Sequence, residues 1–427
     1  MSRSFVLYTI FLITTLALGA PTERHLKGRS FEVERVRRSN YIPHGLSAIK
    51  KAYRKFNISS TSFGLEALEY EPIDTPKTAT NAANAAQGGT GGNGAVSATA
   101  TANDAEFVSP VSIGGQTVMM DFDTGSSDLW VFNSQLPAAD QKGHTVFDTT
   151  TSTSFKMLQG ETFSISYGDG SSASGNVGTD IVNIGGATVQ TQAVELAKNV
   201  SGSFLSDTSS NGLVGFAFSK LNTVKPTQQK TFFDNVASSL ALPVMTVSLK
   251  SGSNQGSYEF GKIDTAKFTG QITNVSVNSA NGFWEFDSTL FKVGDSGAMQ
   301  QITTAPTAIA DTGTSLMLVA PEAAQAYYAQ VQGAMQDQTA GGYVFPCGAT
   351  LPSFSIAVGG QNLATVPATV LNFATVGKDT QTGQTFCYGG IQSSGANQFM
   401  IFGDVFLKSM FVVFDQRGPS LGLASPT

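Results

Sequence analysis

The chain has 427 residues, of which only 13 % are charged, with 45 glycines and a formal net charge of −6. That length accommodates two or three domains, and a glycine-rich, charge-poor composition suits a β protein with many turns and argues against a helical bundle. The acidic balance also disfavours nucleic-acid binding, because such a surface repels phosphate.

Residues 1–20 read as an export signal. Arg3 precedes an apolar run from Phe5 to Leu18, which closes on the small residues Gly19 and Ala20. The run is short for a bilayer span and no second apolar stretch of that length follows, so a secreted, extracellular protein without membrane attachment is expected. Charge is unevenly spread beyond it. Residues 1–77 hold 12 Lys and Arg against 7 Asp and Glu, whereas residues 78–427 hold 13 against 24. A basic front and an acidic body attract one another near neutral pH. The basic front includes Ile49-Lys50-Lys51-Ala52-Tyr53-Arg54-Lys55-Phe56. Residues 75–103 are then almost entirely Thr, Ala, Asn and Gly, a composition that cannot bury apolar surface and predicts a flexible, protease-accessible linker. Residues 21–90 are accordingly read as an activation propeptide with its linker. The competing reading is a spacer between two lasting domains.

From Phe107 onward short apolar runs alternate with turn residues. Phe107–Ile113, Gly114-Gly115 and Thr117–Phe122 read as strand, two-residue turn and strand. Similar strand patterns occur at 163–167, 181–184, 246–249, 354–358 and 410–414. Helices are predicted at 232–240 and at 321–331, the latter with Pro321 in a first helical position. Only two cysteines exist, Cys347 and Cys387, which in an oxidising compartment points to a single disulfide. Two Cys and three His leave no set for a structural zinc, and neither metal nor cofactor is expected. Asn199, Asn274 and Asn57 each begin an Asn-X-Ser pattern for glycosylation.

The most specific feature is a duplication. Phe122-Asp123-Thr124-Gly125-Ser126-Ser127 recurs as Ala310-Asp311-Thr312-Gly313-Thr314-Ser315. Each copy is followed by two apolar residues and a glycine, Leu213-Val214-Gly215 and Ile401-Phe402-Gly403, with each glycine 92 residues beyond its Asp. Matched spacing in two halves predicts two homologous β-rich lobes, 91–275 and 276–427, each offering one Asp at the same place. Two carboxyls a few ångströms apart cannot both ionise, so they share a proton. The ionised one can take a proton from water while the other donates to a peptide carbonyl. Gly125 and Gly313 let the backbone turn beneath each carboxylate and present N–H groups to it. Ser126 and Thr314 are placed to bond the outer oxygens, and Thr124 and Thr312 to tie the two loops together.

These residues resemble the pepsin-like aspartic proteases, over roughly residues 90–427, most closely the fungal secreted penicillopepsin and aspergillopepsin type. The resemblance implies a mainly β, bilobal fold with a central cleft and a flap hairpin. Tyr167-Gly168-Asp169-Gly170-Ser171-Ser172 matches the flap, with Tyr167 bonded to Trp130, and Cys347 and Cys387 match the C-lobe disulfide. It also implies a monomeric acid endopeptidase that cuts protein and peptide substrates around large apolar residues. Pepstatin-type inhibitors would block it, and a Lys of its own propeptide, within residues 50–55, would cover the catalytic pair. Asp169 is expected to admit Lys before the cut. Asp121, on the same strand face as Asp123, is expected to touch substrate or tune the pair.

Three rivals are weighed against this reading. Gly294-Asp295-Ser296-Gly297 resembles a serine-protease nucleophile loop, but the body offers only His144 as base, in a polar stretch. A glycosidase needs two carboxyls in different environments and several aromatic platforms, and the body has only Trp130 and Trp284. A non-catalytic binding protein of the same family would carry a damaged motif, and both copies and Tyr167 are intact.

Overall fold

The structure is a computed structural model and describes residues 29–37, 43–58, 68–71, 107–166, 172–201, 203–249 and 256–427. The signal, the whole linker 75–103 and the flap tip, residues 167–171, lie outside the described residues.

Strands dominate the protein, and the turn chemistry explains the first hairpin. Phe107–Ile113 pairs antiparallel with Gln116–Asp123, with Ile113 opposite Gln116. Gly114 and Gly115 both take positive φ, 53° and 84°, which a two-residue turn of this hand requires and a side chain would resist. Along the second strand Val118, Met120 and Phe122 are buried, while Thr117 faces solvent. That period of two puts one face in the core.

Each lobe builds its Asp loop the same way. In the N-terminal lobe Gln116–Asp123 lies parallel to Gly212–Gly215, which is antiparallel to Leu129–Val131. In the C-terminal lobe Thr307–Ala310 lies parallel to Phe399–Phe402, which is antiparallel to Met317–Val319. The apolar-apolar-glycine signal is therefore the parallel neighbour of the Asp strand in both halves. The first trio belongs to an eight-stranded sheet and the second to a five-stranded one. A six-stranded sheet joins the lobes from beneath, using Val244–Leu249, Gly256–Phe260 and Phe268–Ser276 together with the C-terminal strands Phe411–Asp415 and Ser420–Pro426.

The N-terminal segment docks on this body. Strand β1 (Phe31–Glu34) adds to the edge of the six-stranded sheet, antiparallel to Gly256–Phe260. Helix α1 (Gly45–Lys55) follows, burying Ala48, Ile49 and Ala52 while Lys50 stays exposed. The spacing of those three apolar residues marks one helical face. Gly45 lies against the Tyr388 ring, where any Cβ would sit 2.1 Å from a ring carbon. Tyr53 anchors the helix by donating to the Ser393 carbonyl at 2.7 Å.

The predicted helices form with earlier ends. The first is α-helical over Phe232–Val236 and continues as a 3-10 turn, Ala237–Ser239; the second spans Pro321–Tyr328. Thr231 caps the first by accepting from Asp234 N–H. Cys347 and Cys387 form the expected disulfide.

Candidate active site

Asp123 and Asp311 leave the ends of their strands and meet between the lobes, 1 % and 0 % exposed. Gly125 N–H donates to Asp123 Oδ1 at 2.7 Å and Gly313 N–H to Asp311 Oδ1 at 2.9 Å. Ser126 and Thr314 hydroxyls donate to the outer oxygens, at 2.6 and 2.5 Å. Each carboxyl also influences the ionisation of the other.

The glycines are demanded by this close approach. A Cβ on Gly125 would fall 2.6 Å from Asp311 Oδ1, and one on Gly313 would fall 2.5 Å from Asp123 Oδ1. Beneath them the loops are cross-tied. Thr312 Oγ1 donates to the Phe122 carbonyl at 2.7 Å and accepts from Thr124 N–H at 3.1 Å. Thr124 Oγ1 mirrors this with the Ala310 carbonyl at 2.9 Å and Thr312 N–H at 2.9 Å. Four reciprocal bonds thus fix the spacing of the two carboxyls, and all four are buried.

A cation lies on the pair. Lys55, the last residue of α1, donates from Nζ to Asp123 Oδ1 at 2.7 Å and to Asp311 Oδ1 and Oδ2 at 3.0 and 2.9 Å. Its side chain is 6 % exposed. Burial opposes its charge, but the two carboxylates outweigh burial and raise its pKa, so it stays an ammonium. Burial likewise pushes both carboxyls up. At Asp123 the Lys55 charge and the surrounding donors overcome it and hold the group down to about 2. At Asp311 burial, aided by the Asp123 charge, prevails over Lys55 and raises the group to about 6. The pair is therefore split into a strong and a weak acid.

The sequence left open which Lys of residues 50–55 would lie against the pair; in the structure it is Lys55. The signal was present, because Lys55 follows Ala48 by seven residues and Ala52 by three, on the inner face of α1. Asp121 and Lys51 line one pocket with Asp123, Lys55, Phe204 and Leu213, so Asp121 does stand beside the pair. Trp130 is buried, while its predicted partner Tyr167, with Gly168, Asp169 and Ser171, lies outside the described residues. Asn199 and Asn274 are exposed. The residues of the serine-protease reading do not meet. His144 stacks on Phe132 at 3.9 Å and faces the Ser210 carbonyl, whereas Asp295 accepts from Ser353. Among the described residues no group of three or more His, Cys, Asp or Glu could hold a metal ion.

Comparison with known proteins agrees with this geometry. The family model for eukaryotic aspartyl protease matches residues 106–426. The chain is 53 % identical over 427 residues to an aspergillopepsin A-like aspartic endopeptidase of Aspergillus fumigatus, covering 99 % of both chains. It is 45 % identical to aspergillopepsin-1 of Aspergillus oryzae, covering 95 % of each, and 50 % identical over 326 residues to penicillopepsin-1 of Penicillium janthinellum, covering 76 % of this chain and 97 % of that one. Among solved structures, the aspartic proteinase from Irpex lacteus shares the fold at a TM-score of 0.60 and 24 % identity, over 76 % of this chain and 96 % of that one. With two matched Asp-Thr-Gly loops meeting at one buried carboxyl pair, and a family match across three quarters of its length, the chain belongs to the eukaryotic aspartyl protease family.

Proposed function

We propose that the chain is the precursor of a secreted aspartic endopeptidase that hydrolyses peptide bonds in acid, and that its N-terminal segment is the inhibitor. The observation that carries this is the carboxyl pair itself. Its two members are close enough for one ammonium to bridge, cross-tied from below and split in acidity. The stronger acid can act as base towards a water, and the weaker, still protonated, can donate to the substrate carbonyl. Both ends of a peptide hydrolysis are then served without a covalent intermediate. Lys55 occupies the point from which both carboxyls can be reached, which is where the attacking water must stand. A precursor in this state cannot admit substrate.

Two further observations favour removal of the N-terminal segment. The family match begins only at residue 106, and the penicillopepsin match leaves about a quarter of this chain without a counterpart. Cleavage within 75–103, below about pH 5, would release it. For specificity, Asp121 shares a pocket with a lysine, Lys51, next to Asp123. That arrangement favours a subsite tolerant of a basic side chain, in line with the role expected of Asp169, beside the large apolar residues expected around the cut.

The test is hydrolysis of a denatured protein at acid pH, with and without pepstatin, by wild type and Asp123→Asn. Loss with either the inhibitor or the mutation is expected. Cleavage-site mapping for Asp169→Ser should show selective loss of cuts after Lys; equal loss at all sites rejects that assignment.

A further inference from the structure

A second buried acid pair lies behind the Asp123 loop and takes no part in the chemistry above. Asp128, five residues beyond Asp123, is 0 % exposed, and Glu195, on strand Ala187–Ser201 opposite Trp130, is 1 % exposed. Asp128 Oδ1 accepts from Thr223 N–H and Oγ1, both at 2.9 Å. Asn222 Nδ2 reaches Asp128 Oδ1 at 3.2 Å, Glu195 Oε1 at 3.0 Å and the Ser127 carbonyl at 3.2 Å. The Asn222 amide cannot be turned the other way, since its Oδ1 accepts from Val224 and Gln229 N–H. The remaining oxygens, Asp128 Oδ2 and Glu195 Oε2, are buried without any donor from the described residues. By bridging one oxygen of each, the Asn222 amide holds the two carboxyls side by side. Two buried carboxylates held this close repel, and one proton between them would both relieve that repulsion and satisfy the oxygens left without a donor.

The charges around the pair give it no relief. The further charge acting on Asp128 is Asp123, also negative. Lys198, on the same strand as Glu195, is exposed, and Lys220 on the neighbouring segment points to the Ala280 carbonyl. The pair is tied to the Asp123 loop through Asn222, whose amide bonds both carboxyls and the Ser127 carbonyl. The Asp128 carbonyl accepts from Gly215 N–H at 2.8 Å, and Gly215 is the register partner of Asp123.

We propose that Asp128 and Glu195 hold one proton in common and act through it as positioning residues for the Asp123 loop, so that loss of this proton sets the neutral-side limit of the active conformation. The step is a simple deprotonation. The shared hydrogen bond breaks, the proton goes to solvent, and two adjacent buried carboxylates are left to repel. Burial favours the protonated form of both groups, most strongly at Glu195. A group protonated in the folded state and ionised in the unfolded one makes stability fall as pH rises, from the ordinary carboxyl range up to its folded value. The activity part of this inference rests on the proposed proteolysis; the conformational part does not.

Glu195→Gln tests it, because the amide supplies a permanent N–H towards Asp128. The readouts are proteolysis across pH and, independently, intrinsic tryptophan fluorescence during urea unfolding of the full chain, since Trp130 is the register partner of Glu195. The variant should keep activity at pH 4 within about twofold, and its neutral-side unfolding midpoint should rise by about one pH unit or more. Over that range the wild-type folding constant should fall up to about tenfold per pH unit more steeply than the variant's. Asp128→Asn should behave alike. Midpoints unchanged in both variants overturn the proposal. So does failure of both to fold at pH 4, because either amide preserves the hydrogen bond, and so does a wild-type fold whose stability does not change between pH 5 and 8. A chain without proteolytic activity but with shifted fluorescence midpoints would retain the pair and reject the proposed enzyme function.

Discussion

Replacing Lys55 with Met keeps length and apolar packing and removes the cation from the carboxyl pair. Both carboxyls are buried and the lysine side chain is 6 % exposed, so solvent does little to screen the change. Breaking a buried ion pair typically costs ~3–5 kcal/mol when the orphaned charge persists. Here the orphan can take a proton instead. Asp311 stands at about 6 even with Lys55 lowering it, so without Lys55 its value lies higher still. Protonating it at pH 7 therefore costs at most about 1.4 kcal/mol. The cheaper route prevails, so the ammonium's hold on the pair is worth up to about 1.4 kcal/mol near neutrality, or up to about a tenfold larger open fraction once it is removed. At pH 4, where the proton is freely available, the effect should be smaller still.

On the proposed zymogen reading labelled pepstatin gives a direct assay, since only the open precursor should bind it and bound inhibitor should prevent self-cleavage. Apparent affinity scales with the competent fraction. The Lys55→Met precursor should thus bind up to about tenfold more tightly than wild type at pH 7. Lys50→Met, at an exposed position of the same helix, is the control and should not change binding. Equal affinities for Lys55→Met and wild type would refute the lysine lock, and so would an equal gain from Lys50→Met.

Other positions give separate outcomes. Arg35 is buried and donates to both oxygens of Asp404, at 3.0 and 3.3 Å, so Arg35→Leu should destabilise the precursor by ~3–5 kcal/mol in thermal unfolding. Enzyme processed from either precursor should melt alike; a lower melting point after processing would contradict the assignment of Arg35 to the removable segment. Thr312→Val deletes one donor and one acceptor from the cross-tie and should cost ~2–4 kcal/mol by urea denaturation, with Thr312→Ser recovering most of it. No difference between the Val and Ser variants would mean the hydroxyl does not carry the tie. Reducing Cys347–Cys387, which closes a 40-residue separation, should lower stability by about 4 kcal/mol; an unchanged urea midpoint would remove the disulfide from the stability argument.

How much was legible follows from how local each determinant is. The Asp-Thr-Gly loops and their glycine-terminated partners are short strings whose chemistry tolerates little variation, and both loops, their hydroxyl donors and the threonine cross-tie form as read. The hairpin at Gly114-Gly115 was equally local. Less was visible where a residue's meaning comes from a distant partner. Arg35 reads as one more basic residue of a basic segment, yet its side chain is buried because Asp404 waits 369 positions away. The strand character of Phe31–Glu34 exists only because the edge strand Gly256–Phe260 is there to receive it. Asp128 and Glu195 carried no motif, and 67 residues separate them. Only the burial of both, with their outer oxygens lacking donors, marks them as a pair.

The charge asymmetry explains attraction between the N-terminal segment and the body but not release in acid. In the described structure it narrows to a few ion pairs of unequal pH response. Glu32 meets Lys267, which lowers its pKa, but the pair is partly exposed and counts for little. Compared with an open pair, Lys55 depresses both carboxyls, so the lock is present above their closed-state values and weakens as pH falls through each. Asp123 gives way only near 2, too low to explain opening at pH 4 or 5. Asp311 gives way near 6, so between pH 7 and 5 the ammonium passes from facing two carboxylates to facing one. Asp311 is therefore the trigger within the site as well as half of its chemistry. Asp311→Asn should remove the pH dependence of pepstatin binding by the precursor across that interval, leaving it as open at pH 7 as wild type is at pH 5. A mutant precursor that still opens only on acidification would move the trigger to carboxylates elsewhere on the body.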